Sequence, residues 1–207
     1  MFLEYYLEGL VLGIPMFFFV GPVLFTLLQG SIHYGFRTGF AVAVGITVSD
    51  IVCITITYFG VSQLLNRPAE QTTIGIIGGL ILLTFGISAL TKPPPQMEAK
   101  ELSKGHFLVM CVKGFAVNGI NPFVFAVWIG VMGLVTSRHG FDPQKVTIVF
   151  SGILTVIFGT DTLKAWLAHS IKQRLTPNFF KWFSRVSGSA LIGFALYMFW
   201  YAWSKAG

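Results

Sequence analysis

Six predominantly apolar stretches follow one another along the chain, at about 6–30, 39–62, 73–91, 107–135, 146–167 and 186–203. A helix needs about 20 such residues to cross the hydrocarbon of a bilayer. The pattern therefore predicts an all-α membrane protein with six transmembrane helices. Charge is nearly absent from these runs. The third and sixth have none, the second only Asp50, the fourth only Lys113 near its start, and the fifth Asp161 and Lys164 near its end.

The connections fit this division. His33 to Thr38 makes a short turn, and Asn66-Arg67-Pro68 punctuates the next junction. Lys92-Pro93-Pro94-Pro95 through Gly105 reads as an extended linker, because three prolines in a row cannot lie inside a helix. The organisation expected is a first three-helix repeat over 1–91, a cytoplasmic linker over 92–106 and a second three-helix repeat over 107–207. Three is an odd number, so the second set enters the membrane upside down relative to the first. Any similarity between them is then an inverted repeat.

Two of the predicted helices are interrupted. In the fourth, Asn118-Gly119-Ile120-Asn121-Pro122 falls where an unbroken helix would be expected. Pro122 cannot donate to the helical ladder, whereas asparagine caps a helix start and proline suits the first position after it. Gly21-Pro22 is a weaker version of the same signal in the first. Helices 1 and 4 are thus expected to be broken at Pro22 and Pro122, in corresponding places of the two repeats. Such pairs point to a transporter's binding site. Gly45 through Ser49-Asp50 answers in the same way to Val156 through Thr160-Asp161. Gly78-Gly79 with Gly86 answers to Gly188 with Gly193, where small residues permit close packing.

Composition agrees with a bilayer home. Of the 207 residues, 54% are hydrophobic and 11% charged, with a mean hydropathy of +0.74. A soluble domain carries roughly 25% charged residues. The net charge of +6 comes mostly from residues between apolar runs, so it speaks for orientation rather than for nucleic acid. Arg37, Lys92, Lys100, Lys104, Lys172, Arg174, Lys181 and Arg185 fall on one side, predicted to be cytoplasmic. Both termini are predicted to be extracytoplasmic. Glu4 and Glu8, with no basic residue before the first apolar run, are the wrong flank for a cleaved signal, so that helix is expected to remain.

Asp50 is the sharpest single residue. An ionised carboxylate in hydrocarbon is costly, so it should face the bundle interior, where it can take up and release a proton. The bland alternative is a structural Asp partnered by Ser49 or Thr47. Asp161 is either a second coupling or gating site or an interfacial ion pair with Lys164, three residues on. Half-helices starting at Pro22 and Pro122 would turn positive ends toward a shared space suited to a carboxylate. Gly21, Asn118 and Asn121 would stand beside it, the amides available to an amine. The bland alternative there is a kinked helix whose amides bond to neighbours. Arg37, the four histidines and the abundant phenylalanines read as turn, surface and lipid-facing residues. The run from Lys172 to Arg185 reads as a segment against anionic lipid.

These residues also carry a family resemblance. Gly35-Phe36-Arg37-Thr38-Gly39, then Gly45 and Ser49-Asp50, resembles the second helix of the lysine exporter (LysE/RhtB) family of bacterial amino-acid exporters. Lys113-Gly114-Phe115, Asn118, Asn121-Pro122 and Trp128 resemble its fourth. Gly21-Pro22 is followed by Val23 where that family usually has asparagine. The resemblance implies a secondary transporter in the bacterial inner membrane that exports an amino acid or similar small zwitterion, and together with Asp50 it implies that proton exchange drives the export. Its partners would be that solute, protons and the lipid bilayer.

No nucleotide-binding loop, H-E-x-x-H or G-x-S-x-G occurs, so neither an enzyme nor a cofactor is expected. Three rival readings remain at this stage, one of them a non-transporting structural bundle, which would need no acid at mid-membrane. A divalent-cation exporter could draw oxygen ligands from Asp50, Asp161, Asn118 and Asn121. A thiol-redox protein would need reactive Cys53 and Cys111, which lack C-x-x-C spacing and read more simply as inert core.

Overall fold

A computed structural model describes residues 2–18, 21–64, 76, 79–80, 83–84, 86–88, 90–91, 107–170 and 177–206. Every regular element among them is helical: α1 (Phe2–Gly13), a 3-10 turn (Ile14–Phe18), α2 (Pro22–Tyr34), α3 (Phe36–Leu64), α4 (Phe107–Gly119), α5 (Pro122–His139), α6 (Pro143–Ser170) and α7 (Pro177–Ala206). The linker 92–106, most of the third apolar stretch and Asn66-Arg67-Pro68 lie outside the described residues.

Two unbroken helices among these are long and apolar enough to cross a membrane, Phe36–Gly60 and Pro143–Ser170. The other two candidate crossings are bent pairs. The helix over Phe2–Phe17 meets α2 at 80°, and α4 meets α5 at 69°. Each pair nevertheless runs from one end of the bundle to the other. Near one end, Glu8 of α1 is ion-paired to Arg138 and His139 at the end of α5, and the Tyr58 hydroxyl donates to the Phe141 carbonyl. At the other, Gly35 lies against His169, and Phe40 stacks obliquely on Phe107.

The chain reverses after α2 at Gly35, whose φ of 92° is left-handed and favours glycine. Its N–H donates back to Ser31 and its carbonyl receives Thr38, so α3 starts at once. Arg37 is accordingly an exposed residue in the first turn of α3, as a structural arginine should be.

Glycines set the close crossings. Gly45 of α3 rests against the Cys111 carbonyl and Gly114 of α4 against the Val42 carbonyl. Gly9 of α1 meets the Val149 carbonyl in the same way, and Gly152 of α6 meets that of Tyr6. A side chain at any of the four would force these helices apart. Gly86 and Gly188 also face each other, a Cβ on Gly188 falling 2.9 Å from the Gly86 carbonyl oxygen.

Two expectations need correction. Phenylalanine is not only lipid-facing bulk, since Phe25, Phe123 and Phe150 are buried in helix–helix contacts. His33 and His169 are exposed and His106 lies outside the described residues, but His139 is largely covered. Its Nε2 is 2.8 Å from Glu8 Oε2, and its ring meets Tyr5 edge-on at 5.0 Å. The run from Lys172 to Arg185 is helical from Pro177 onward, with Lys181, Trp182 and Arg185 exposed.

Candidate functional site

The two breaks face a common cavity of about 100 Å³, walled by α2, α3, α5, α6 and the break residues themselves. That is room for several waters or a small solute. Asp50, Asn118, Asn121, Gly21 and Asp161 all line it, as do Trp128 and Lys164.

Asp50 sits midway along α3 and is 4% exposed. The buried face of α3 follows helical spacing through Gly39, Val42, Ala43, Ile46, Ser49, Asp50, Cys53 and Thr57, while Val48, Ile51, Val52 and Ile56 are exposed. The carboxylate thus turns inward. Its partners come from α4 and α5 rather than from its own helix. Asn118 Nδ2 donates to Asp50 Oδ1 at 2.8 Å and Trp128 Nε1 donates to the same oxygen at 3.0 Å. Thr47 instead donates to the Ala43 carbonyl and Ser49 Oγ has no hydrogen bond among the described residues, so neither of the neighbours named for the structural alternative is the partner of Asp50.

Asn118 stands in the last turn of α4, just ahead of the break, and also reaches the Ile46 carbonyl at 3.4 Å. Its amide is therefore engaged with α3. Asn121 caps α5, its side-chain oxygen accepting the Phe123 N–H at 3.1 Å while its carbonyl accepts Val124. Pro122 is the first residue of that helix. Gly21 precedes α2 in extended backbone, with φ 176° and no side-chain cap, and exposed Pro22 opens the helix. Both prolines thus serve as helix starters.

Asp161 and Lys164 occupy the α6 wall. Lys164 Nζ is 2.9 Å from Asp161 Oδ1 and 5.1 Å from the centre of the Phe17 ring. Both side chains are largely buried, 12% and 11% exposed, so the pair belongs to the cavity and not to an exposed interface. Sequence reasoning singled out Asp161 but missed Lys164 and Trp128 as cavity residues. The i, i+3 spacing was the available signal for Lys164. Trp128 carried part of the family resemblance, but its neighbours Val127 and Ile129 gave no sign that it faces the cavity.

No group of three or more His, Cys, Asp or Glu among the described residues is arranged to hold a metal ion. Cys53 and Cys111 are free thiols, one buried and one half-buried.

The sequence pattern of the LysE type translocator family matches residues 14–202. The chain belongs to the LysE type translocator family. It is a multi-pass membrane transport protein, not an enzyme. Among curated relatives, this LysE translocator is 26% identical to the "Putative amino acid efflux protein YcgF" of Bacillus subtilis, over 95% of this chain and 93% of that one. It is 28% identical to the arginine exporter protein ArgO of an Enterobacter species, over 82% of each chain. ArgO of Pectobacterium atrosepticum is 26% identical over 96% of this chain and 98% of its own. No solved structure is a significant match.

Proposed function

We propose that this LysE translocator exports an amino acid or similar small zwitterion across the bacterial inner membrane in exchange for protons. The observation that carries the reading is Asp50: a carboxylate at mid-helix, nearly sealed from solvent, set in the wall of a cavity between two helix breaks. Two neutral donors hold one of its oxygens, and among the described residues no cation is bonded to it. An acid so placed can be stable protonated or ionised, as a proton-exchange site requires. The names of the relatives, amino acid efflux and arginine export, support the substrate class.

The architecture we propose is two inverted three-helix repeats, 1–91 and 107–207, joined by the cytoplasmic linker 92–106, with both termini extracytoplasmic. Paired crossings support it. α1 packs on α6 through Gly9 and Gly152 as α4 packs on α3 through Gly114 and Gly45, and Gly86 meets Gly188 across the remaining contact. Asp50 and Asp161 both look into the cavity from the middle helix of each repeat. Substrate would sit between the breaks, with Gly21, Pro22, Asn118, Asn121 and Pro122 around it, and one repeat would rock against the other.

The test is reconstitution in proteoliposomes with an imposed pH gradient. Asp50→Asn is expected to fold, to melt near the wild-type temperature, and to lose all response of amino-acid flux to the gradient. Flux by that variant at the normal rate, still following pH, removes Asp50 from the mechanism.

A further inference from the structure

The Asp161–Lys164 pair contributes little to holding the fold together. Its members are three residues apart on α6, so the bond ties that helix only to itself. The Glu8–Arg138 pair, by contrast, joins α1 to α5. Burying two charges carries a desolvation penalty that their mutual attraction does little more than offset. Lys164 lies over the Phe17 ring beside the first break, and Asp161, Lys164 and Thr160 share one wall of the cavity. Asp50 is the one other charged side chain among the described residues lining it.

A zwitterion carries the same two charges as the pair, in complementary order. Its carboxylate can take the place of Asp161 on Lys164, and its ammonium the place of Lys164 on Asp161. Four charges then stand where two stood, all paired, and the net charge of the cavity is unchanged. Apart from Asn118, Asn121 and Trp128, the remaining side chains of the wall are apolar, with Val23, Leu27, Val127 and Ile157 among them. A cationic side chain would add an unpaired positive charge to a site that already holds Lys164, and could be balanced only at Asp50, the proposed proton site.

We propose that Asp161 and Lys164 are the substrate-reading pair, Lys164 Nζ binding the α-carboxylate and Asp161 the α-ammonium of an amino acid whose uncharged, apolar side chain lies along Val23, Val127 and Ile157. This rests on the exporter reading above and adds to it the groups that recognise the solute and the class of side chain accepted.

The experiment measures uptake of labelled L-leucine into inverted proteoliposomes, with isoamylamine, isocaproate and L-arginine as competitors. These are leucine without its carboxylate, leucine without its ammonium, and a cationic amino acid. Wild type is expected to take L-leucine and to be inhibited weakly by the other three. Lys164→Met should weaken leucine by about tenfold or more and make the amine the better competitor. Asp161→Asn should do the reverse, favouring the acid. Removing both charges together, in Asp161→Asn with Lys164→Met, should leave the melting temperature near wild type while abolishing leucine uptake.

Equal loss for all ligands in both single variants, or a double variant that no longer folds, overturns the pair as a reader and makes it structural. L-Arginine competing more tightly than L-leucine binds overturns the side-chain assignment. Wild type that moves no amino acid at all is a different failure, that of the exporter reading, and this proposal falls with it.

Discussion

The two helix breaks face one cavity and are built differently. At the second, Asn121 closes the start of α5 with its own side chain, and Asn118 just before it grips Asp50 on α3. At the first, Gly21 brings no cap to α2 and no side chain to the cavity, and a Cβ placed on it would meet nothing within 4 Å. One break is fastened to the acid and satisfied internally. At the other, no N-cap side chain closes the helix start among the described residues. A broken helix is thus not a single device: the asymmetry suits a fixed wall on one side and a ligand-facing wall on the other.

The contrast is broken most directly at Asn118. Asn118→Ala leaves the buried Asp50 with Trp128 as its remaining donor, a loss of about 2 kcal/mol for a hydrogen bond to a charged group. Export should fall by about tenfold or more, and Gly21→Ala should leave it nearly unchanged. Equal effects on flux from the two would show the breaks to be equivalent.

Asn121→Ala removes the cap on α5 and should lower stability by about 1 kcal/mol, read as a drop in unfolding temperature in detergent. No drop would mean that the Phe123 N–H finds another acceptor.

A third helix start offers a control outside the membrane core. Asp142 precedes Pro143 and accepts the backbone N–H groups of Gln144 at 2.9 Å and Lys145 at 3.3 Å. Chiefly the Lys145 backbone bond, then the Gln144 bond and the Lys145 charge, hold its carboxyl below the usual carboxylate range. A depressed folded value stabilises the protein above the ordinary carboxylate pKa of about 3.9, and that contribution is lost as pH falls through the lower folded value. Thermal melts from about pH 6 to about pH 3 should therefore show Asp142→Asn less stable than wild type at the upper end, with the gap closing on acidification. A gap independent of pH counts against the capping role.

The smallest effect is expected at the first break. Gly21 has extended backbone that any residue adopts. Gly21→Asn supplies the missing cap and should raise stability by a few tenths of a kcal/mol. If the uncapped helix start serves the substrate, the same change should weaken leucine uptake. A variant that is both steadier and fully active would show that the bare helix start is unused.

Much of this was legible in the residues because polar groups and prolines are conspicuous in an apolar chain. Pro22 and Pro122 located the breaks, since neither can continue a helix. Asp50 declared itself interior because hydrocarbon does not tolerate it. Asn121 was readable as a cap from its place before Pro122. Trp128 stood out only through the family resemblance, and nothing in Val127-Trp128-Ile129 tells which aromatic of a greasy helix faces a carboxylate. His139 read as a surface residue until Glu8, more than a hundred positions earlier, came to lie beside it.

By itself, the sequence determined that the chain is helical, that it lives in a bilayer, where two helices stop and restart, and that an acid must point inward. These follow from local chemistry: proline's missing N–H, the length of apolar runs, the cost of charge in hydrocarbon. Only the tertiary structure decided which groups meet. In α3 apolar residues cover the inner and outer faces alike, so beyond Asp50 no hydrophobic stripe marks the inner face, and packing across Gly45 and Gly114 sets the contact that brings Asn118 and Trp128 onto one oxygen of Asp50.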